Sequence, residues 1–246
     1  ATQAATGTIT GNGLRLLSTG ADGSFALASS TTNDVDTVAA ATTGAINFRD
    51  DNGVTVGTVT TIGITTSGDD VTIDSTNVPG GTIVVDQPIN TSPGIGGGGV
   101  SITGSVDINA ALTADAGNIT LNGVADGAFD LEIDANITSD LTVALIAPRD
   151  IIVGANASAT IQTTGAGSDI TLTADSETTP DGVGGVQIAG MGQLDSADVV
   201  DLEGSDLFAD AGGVESVQID DGGASVDQVV AVGSVAISSG AGAPAN

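Results

Sequence analysis

Two aliphatic side chains flanking one small or polar residue recur from one end of the chain to the other. Leu14-Arg15-Leu16, Phe25-Ala26-Leu27, Ile46-Asn47-Phe48, Val54-Thr55-Val56, Ile62-Gly63-Ile64, Val71-Thr72-Ile73 and Ile83-Val84-Val85 open the series. Val100-Ser101-Ile102, Val106-Asp107-Ile108, Ile119-Thr120-Leu121, Leu131-Glu132-Ile133, Leu141-Thr142-Val143, Ile151-Ile152-Val153, Ile170-Thr171-Leu172 and Val186-Gln187-Ile188 continue it. In extended backbone such alternation puts the aliphatic pair on one face and the middle residue on the other. Gly, Asn, Asp or Ser follows each unit within a few residues, so the pattern predicts short strands joined by tight turns. The 37 glycines and the abundant threonines, both poor helix formers, argue against helices.

The spacing says how the strands assemble. Leu121, Leu131, Leu141, Ile151 and Ile161 fall at steps of ten, with Ile170 and Leu172 straddling the next. Fixed self-similarity marks a solenoid, whose turns bury their apolar faces only by stacking on one another. Two strand-and-turn units per turn of the solenoid give a single-stranded, all-β parallel β-helix of roughly 20 residues per coil, on the order of 12 coils in all. At an inter-strand spacing of about 4.8 Å, the rod would be about 55 to 60 Å long. Residues 1–246 read as one β-solenoid domain with loop inserts at Thr91 to Gly99 and at Asp175 to Gly185. The rhythm loosens over 190–246, where Asp195 to Phe208 reads either as irregular coils, the preferred reading, or as a short amphipathic helix.

Composition narrows the chemistry. A hydrophobic fraction of 40% supports a buried core, while 31 acidic against 3 basic residues, all Arg, leave a formal charge of −28. Such a charge repels phosphates, which excludes electrostatic binding of nucleic acid or of an anionic membrane surface. No stretch approaches the length of a membrane-spanning helix, so direct membrane insertion is not expected. Without His or Cys there is no Ser-His-Asp or Cys-His nucleophile, no ordinary zinc site and no disulfide. The four Phe, with no Trp or Tyr, provide no stacking platform. The chain starts at Ala1 without a basic or apolar leader, which reads as a mature product or an excised piece.

Several runs in order resemble the repeat regions of giant bacterial exoproteins of the filamentous haemagglutinin type. They are Gly13-Leu14-Arg15-Leu16-Leu17, Asn33-Asp34-Val35-Asp36-Thr37-Val38-Ala39, Thr43-Gly44-Ala45-Ile46-Asn47-Phe48, Asn52-Gly53-Val54-Thr55-Val56-Gly57-Thr58-Val59 and Gly68-Asp69-Asp70-Val71-Thr72-Ile73. The likeness covers residues 7 to 175. It implies a right-handed β-helix displayed outside the cell as a stalk, adhesin shaft or matrix fibre. The Asn-Pro-containing motifs of the secretion domain of such proteins are absent, so the chain would be an interior piece of a shaft.

No residue is assigned a catalytic, cofactor-binding or metal-binding role. Asp50-Asp51, Asp69-Asp70 and Asp220-Asp221 are candidate acid and base pairs, but neighbours in a strand face opposite ways, and Asp in turns caps backbone amides. Arg49 beside Asp50 and Asp51 is the best candidate for a lyase site, with a local salt bridge as its structural reading. No cofactor is required, and weak Ca2+ binding by clustered carboxylates is open although no EF-hand or β-roll motif is present. The threonine pairs Thr60-Thr61, Thr65-Thr66 and Thr163-Thr164, with Thr171-Leu172-Thr173, do not recur once per coil, as an ice-binding array would require. The sequons at Asn90, Asn118, Asn136 and Asn156 reflect turn composition or glycosylation. The expected function is structural: an extracellular or cell-surface β-solenoid that self-associates end to end or continues into further repeats, with no receptor named by the sequence. A β-helix enzyme acting on acidic polysaccharide and a calcium-dependent binding module are the alternatives.

Overall fold

The computed structural model describes residues 1–21, 23–75, 81–93, 96–123, 130–174, 176, 185–189, 192–198, 200–204, 206–210, 218–220, 228–231 and 235–238, with side chains as far as Leu202. The described residues contain strands and no helix. Nearly every described ladder is parallel, and most coils contribute three strands, one to each of three faces.

The first face stacks nine strands: Phe25–Leu27, Ile46–Arg49, Val71–Asp74, Val100–Thr103, Ile119–Asn122, Val143–Ile146, Ile170–Thr173, Val200–Gly204 and Gln228–Ala231. The chain then passes to a second face, represented by Thr82–Val85, Ser105–Ile108, Leu131–Ile133 and Ile151–Val153. It moves on to a third, represented by Ile89–Asn90, Leu112–Ala114, Ile137–Ser139 and Ala159–Thr163, before returning to the first. Thr37–Ala41 runs through both the second and third faces, which joins them into one 17-stranded sheet. This is a parallel β-helix, and parallel crossovers take the right-handed sense in nearly all proteins.

The register stacks like on like. Phe48, Ile73, Ile102, Leu121, Leu145 and Leu172 are successive Cα partners on the first face, and each is 0% exposed. Ala40, Ile64, Ile89, Leu112, Ile137, Ile161 and Leu194 make the equivalent ladder on the third, also at 0%. No coil covers these side chains by itself. Each fully buried aliphatic contributes about 1.5–3 kcal/mol, obtained only once the coils above and below are in place.

The coil is less uniform than the ten-step rhythm suggests. Phe25 pairs with Ile46 and Val100 with Ile119, steps of 21 and 19, close to the expected length. Val71 to Val100 takes 29, and third-face steps such as Ile64 to Ile89 take 25. The rhythm of ten measures passage from strand to strand: Leu121 lies on the first face, Leu131 and Ile151 on the second, and Ile161 on the third. Leu141 is not in a strand at all and is 42% exposed. With three strands per coil rather than two, nine first-face strands span about 40 Å, shorter than the expected rod.

Two local expectations change. Over Asp195 to Phe208 the backbone forms strands Val200–Gly204 and Asp206–Asp210 in register with the preceding coils, so the helical alternative is excluded there. The glycine run was expected to bulge out, yet Gly96–Gly99 lies between two neighbouring turns. A Cβ at Gly98 would sit 2.5 Å from the Asp69 carbonyl, and one at Gly97 2.5 Å from that of Ala116. These glycines are a close approach of three backbones; Gly94 and Ile95 of the expected insert lie outside the described residues. The second expected insert, 175–185, lies almost wholly outside the described residues. The one antiparallel pair among the described strands is a hairpin, Thr58–Val59 with Thr61–Ile62, turned at Thr60 with φ of 64°.

Truncating a lumen residue should therefore open a cavity between coils, whereas truncating a turn residue should not. Ile102→Ala is expected to destabilise by about 2–5 kcal/mol in denaturant unfolding. Leu141→Ala should change stability by less than about 0.5 kcal/mol.

Candidate functional site

In the two described pairs of adjacent carboxylates, Asp50-Asp51 and Asp69-Asp70, one member of each accepts from backbone amides. Arg49 points outward and bonds Asp74, its register partner on the next coil, through Nε at 2.7 Å and Nη2 at 2.5 Å. It is not paired with Asp50 or Asp51. Asp50 turns inward to 0% exposure, where its carboxylate accepts from the Val35 amide at 3.0 Å and the Asn52 amide at 3.2 Å. Burial pushes Asp50 up to about 6, outweighing those two amides, with the Asp34 and Asp51 charges adding to the rise. Asp70 accepts from the Gly99 amide at 2.8 Å, while Asp69 receives the Thr66 hydroxyl on its main-chain carbonyl. The Asp220-Asp221 pair falls outside the described side chains.

What these residues form instead is a set of links between coils. Asn118 Oδ1 accepts from the Thr142 amide at 3.2 Å, Asn136 Oδ1 from Thr160 at 3.0 Å, and Asp134 Oδ1 from Asn156 at 2.8 Å. Asp150 Oδ1 takes the Gly185 amide at 2.9 Å, and Asp130 Oδ1 takes Asp150 at 3.2 Å. Each oxygen satisfies a backbone donor on the adjacent coil that lies beyond the regular ladder, a demand that buried or half-buried amides impose. Arg149 adds a bidentate pair with Asp130 at 2.9 and 2.7 Å, which raises the guanidinium above its ordinary value. Of the four sequon asparagines, Asn118 and Asn136 make such links, Asn90 caps the Ser92 amide, and Asn156 donates to Glu132 and Asp134.

A second device escaped sequence reasoning. Thr42, Thr66, Thr91, Ser139, Thr163 and Ser196 each lie two residues past the inward aliphatic of the third face, and all are buried. Their hydroxyls donate to turn carbonyls, as in Thr42 to Gly44 at 2.7 Å, Thr91 to Gly98 at 2.5 Å and Ser139 to Gly117 at 2.7 Å. The signal was there in pairs such as Asn90-Thr91, Thr138-Ser139 and Gln162-Thr163 directly after an aliphatic residue. Only the fold shows that the second member of each turns inward.

Acidic residues gather on the second face. Asp107 and Glu132 are register partners, and Asp86, Asp130 and Asp134 lie close enough to raise one or both. Desolvation is the larger cause in each case, and Asn109 and Asn156 oppose it by donating to the cluster. Among the described residues no three acidic side chains converge as metal ligands.

One concave feature stands out on the first face, a shallow open groove of about 360 Å³. Its floor carries Thr72, Ser101 and Thr120, which are successive register partners. Its sides are Asp70, Asn118 and the turn residues Gly97, Gly99, Ala116 and Gly117, and Leu141 also lines it. The hydroxyl row ends at Ala144, the next register position, so there is no uninterrupted threonine array.

Comparison with known proteins leaves the fold and this geometry to speak for themselves: no protein-family model, no curated protein and no solved structure matches the chain.

The raised carboxylates set a direction for pH dependence. A carboxyl whose folded value lies above its unfolded value binds protons more tightly when folded, so stability falls as pH rises from the unfolded value towards the folded one. For Asp50 the window runs from 3.8 to about 6. The thermal midpoint should rise on acidification from pH 7 to about 4.5. Asp50→Asn should flatten that rise and stabilise the protein at pH 7 by up to about 3 kcal/mol. For the hydroxyl device, Thr91→Val keeps the shape but orphans the Gly98 carbonyl, and denaturant unfolding should show a loss of about 1–3 kcal/mol.

Proposed function

We propose that this chain is a structural segment of an extracellular bacterial surface fibre or adhesin shaft, in which stacked coils supply length and stiffness. The observation that carries the reading is the continuity of the inward ladders. Apolar residues follow one another on the first and third faces through the described coils, so bending or shearing at any rung breaks contacts of the same kind as at any other. Asx links and buried hydroxyls tie the turns on the outside of this lumen. The high negative charge keeps a β-rich surface from associating through its sides. The surface location and the bacterial origin rest on the ordered resemblance to filamentous haemagglutinin-type repeats.

The polysaccharide-lyase alternative draws less support, because its candidate Arg49 is paired with Asp74 while Asp50 is buried. Its discriminating assay is uronate release with Arg49→Ala as the control. In the calcium-dependent reading the second-face carboxylates collect divalent ions, and its measurement is the thermal midpoint with and without chelator.

A shaft must hold its coils against proteases. The chain has three basic residues, of which Arg49 and Arg149 are engaged in ion pairs while Arg15 is exposed on the first described coils. Trypsin should cut after Arg15 and leave the remainder intact through prolonged digestion, as read by mass spectrometry. Small-angle scattering over a concentration series should show an elongated particle that lengthens without thickening. Early cleavage at Arg49 or Arg149, or a compact particle at every concentration, would overturn the proposal.

A further inference from the structure

We propose that the first-face groove is a binding site for an extended, neutral polysaccharide strand lying along the solenoid axis. The inference does not depend on the shaft reading, since a groove of this kind serves any molecule that carries it.

The lining is polar and unspent. Among the described residues, the hydroxyls of Thr72, Ser101 and Thr120 have no intramolecular hydrogen-bond partner, and all three are half-buried in the floor. The Gly99 amide binds one oxygen of Asp70 and the Thr142 amide binds the oxygen of Asn118. These bonds fix the two side chains along the groove and leave a second carboxylate oxygen and a side-chain NH2 unpartnered. The result is an acceptor, a donor and three groups that do both, held on rigid strands. Sugar hydroxyls need this mixture, and a carboxylate accepts from two adjacent hydroxyls at once. Leu141, exposed by 42% beside the polar floor, gives the carbon face of a pyranose ring an apolar contact.

The repeat fits a polymer. Floor hydroxyls recur once per rung, at about 4.8 Å, close to the length of one pyranose residue in an extended chain. From Asp70 to Leu141 the groove crosses successive coils, and its three floor hydroxyls span about 10 Å, enough for two or three sugar units. The turn residues that line it, Gly97, Gly99, Ala116 and Gly117, are all small. Charge sets the class: among the described residues Asp70 is the only ionisable one in the lining, and the molecule carries −28, so uronates and sulfated sugars are repelled. Lacking an aromatic platform, a single groove should bind with Kd on the order of 1 mM, a strength that repetition along a fibre would multiply.

The test is an NMR titration of the isotopically labelled chain with cellohexaose, mannohexaose and xylohexaose, with hexagalacturonate as the anionic comparison. At least one neutral hexamer should give saturable shifts confined to residues 70–72, 97–101, 116–120 and 141. Ser101→Phe fills the floor and should weaken that binding by about tenfold or more with the thermal midpoint unchanged. Leu141→Ala and Thr120→Val, which remove one contact each, should weaken it about threefold and serve if the phenylalanine variant does not fold. The proposal is overturned by the absence of saturable shifts up to about 10 mM, by shifts outside the groove, by indifference to these substitutions, or by equal binding of hexagalacturonate. None of these outcomes bears on the particle's elongation or its resistance to trypsin, which test the shaft.

Discussion

Every part of this molecule depends on one constraint: a coil of this length cannot enclose its own apolar side chains. Three short strands leave Ile102, Ile108 and Leu112 covered only by the coil before and the coil after, yet all three are fully buried. Stacking is therefore both the source of the core and the reason for the sheets. Coils held at the parallel-strand spacing have their backbone ladders and their side-chain ladders satisfied by the same displacement. Stability of this kind is carried between neighbours, which is why a cavity at Ile102 is felt by two interfaces at once.

The outside of the solenoid solves a different problem. Turns between faces leave amides and carbonyls that the ladders do not reach, and the chain answers with short polar side chains. Asp and Asn reach across to the next coil's amides, while Thr and Ser turn inward to the turn carbonyls. These are the residue types that charge and composition alone would assign to solubility. Their acidity has a cost where burial is complete. Asp50 is held by two amides and still rises to about 6, because two neutral donors do not replace the water that a carboxylate loses.

The first-face groove follows from the same economy of side chains. Small residues are demanded in the turns by close approach of backbone to backbone, as at Gly97 and Gly98. Beside those turns runs a ladder whose outward residues are hydroxylic, and the open groove is floored by Thr72, Ser101 and Thr120. The neighbouring Asp70, Asn118 and Leu141 give the groove its chemical character. On the second face Val84, Asp107, Glu132 and Ile152 occupy the corresponding outward ladder, and charge there replaces the hydroxyl row.

Alternation of aliphatic and polar residues was enough to determine most strands, the inward side of most of them, and a stacked parallel architecture, because burial with period two leaves a direct imprint on residue type; Ile62, in the hairpin and 64% exposed, is an exception. Ile46-Asn47-Phe48 and Ile119-Thr120-Leu121 could be assigned face by face without coordinates. The number of strands per coil could not, since the ten-residue rhythm is the same whether two or three strands close a turn. Leu141 kept time with that rhythm and yet lies in a turn, exposed. Nor could the partner of Arg49 be read, because Asp74 becomes its neighbour only through a register that skips 25 residues, whereas Asp50 and Asp51 adjoin it in the chain and face elsewhere. Local alternation is written in the sequence itself; which rung lies on which is decided by the lengths of the turns, and those are settled only when the coils pack.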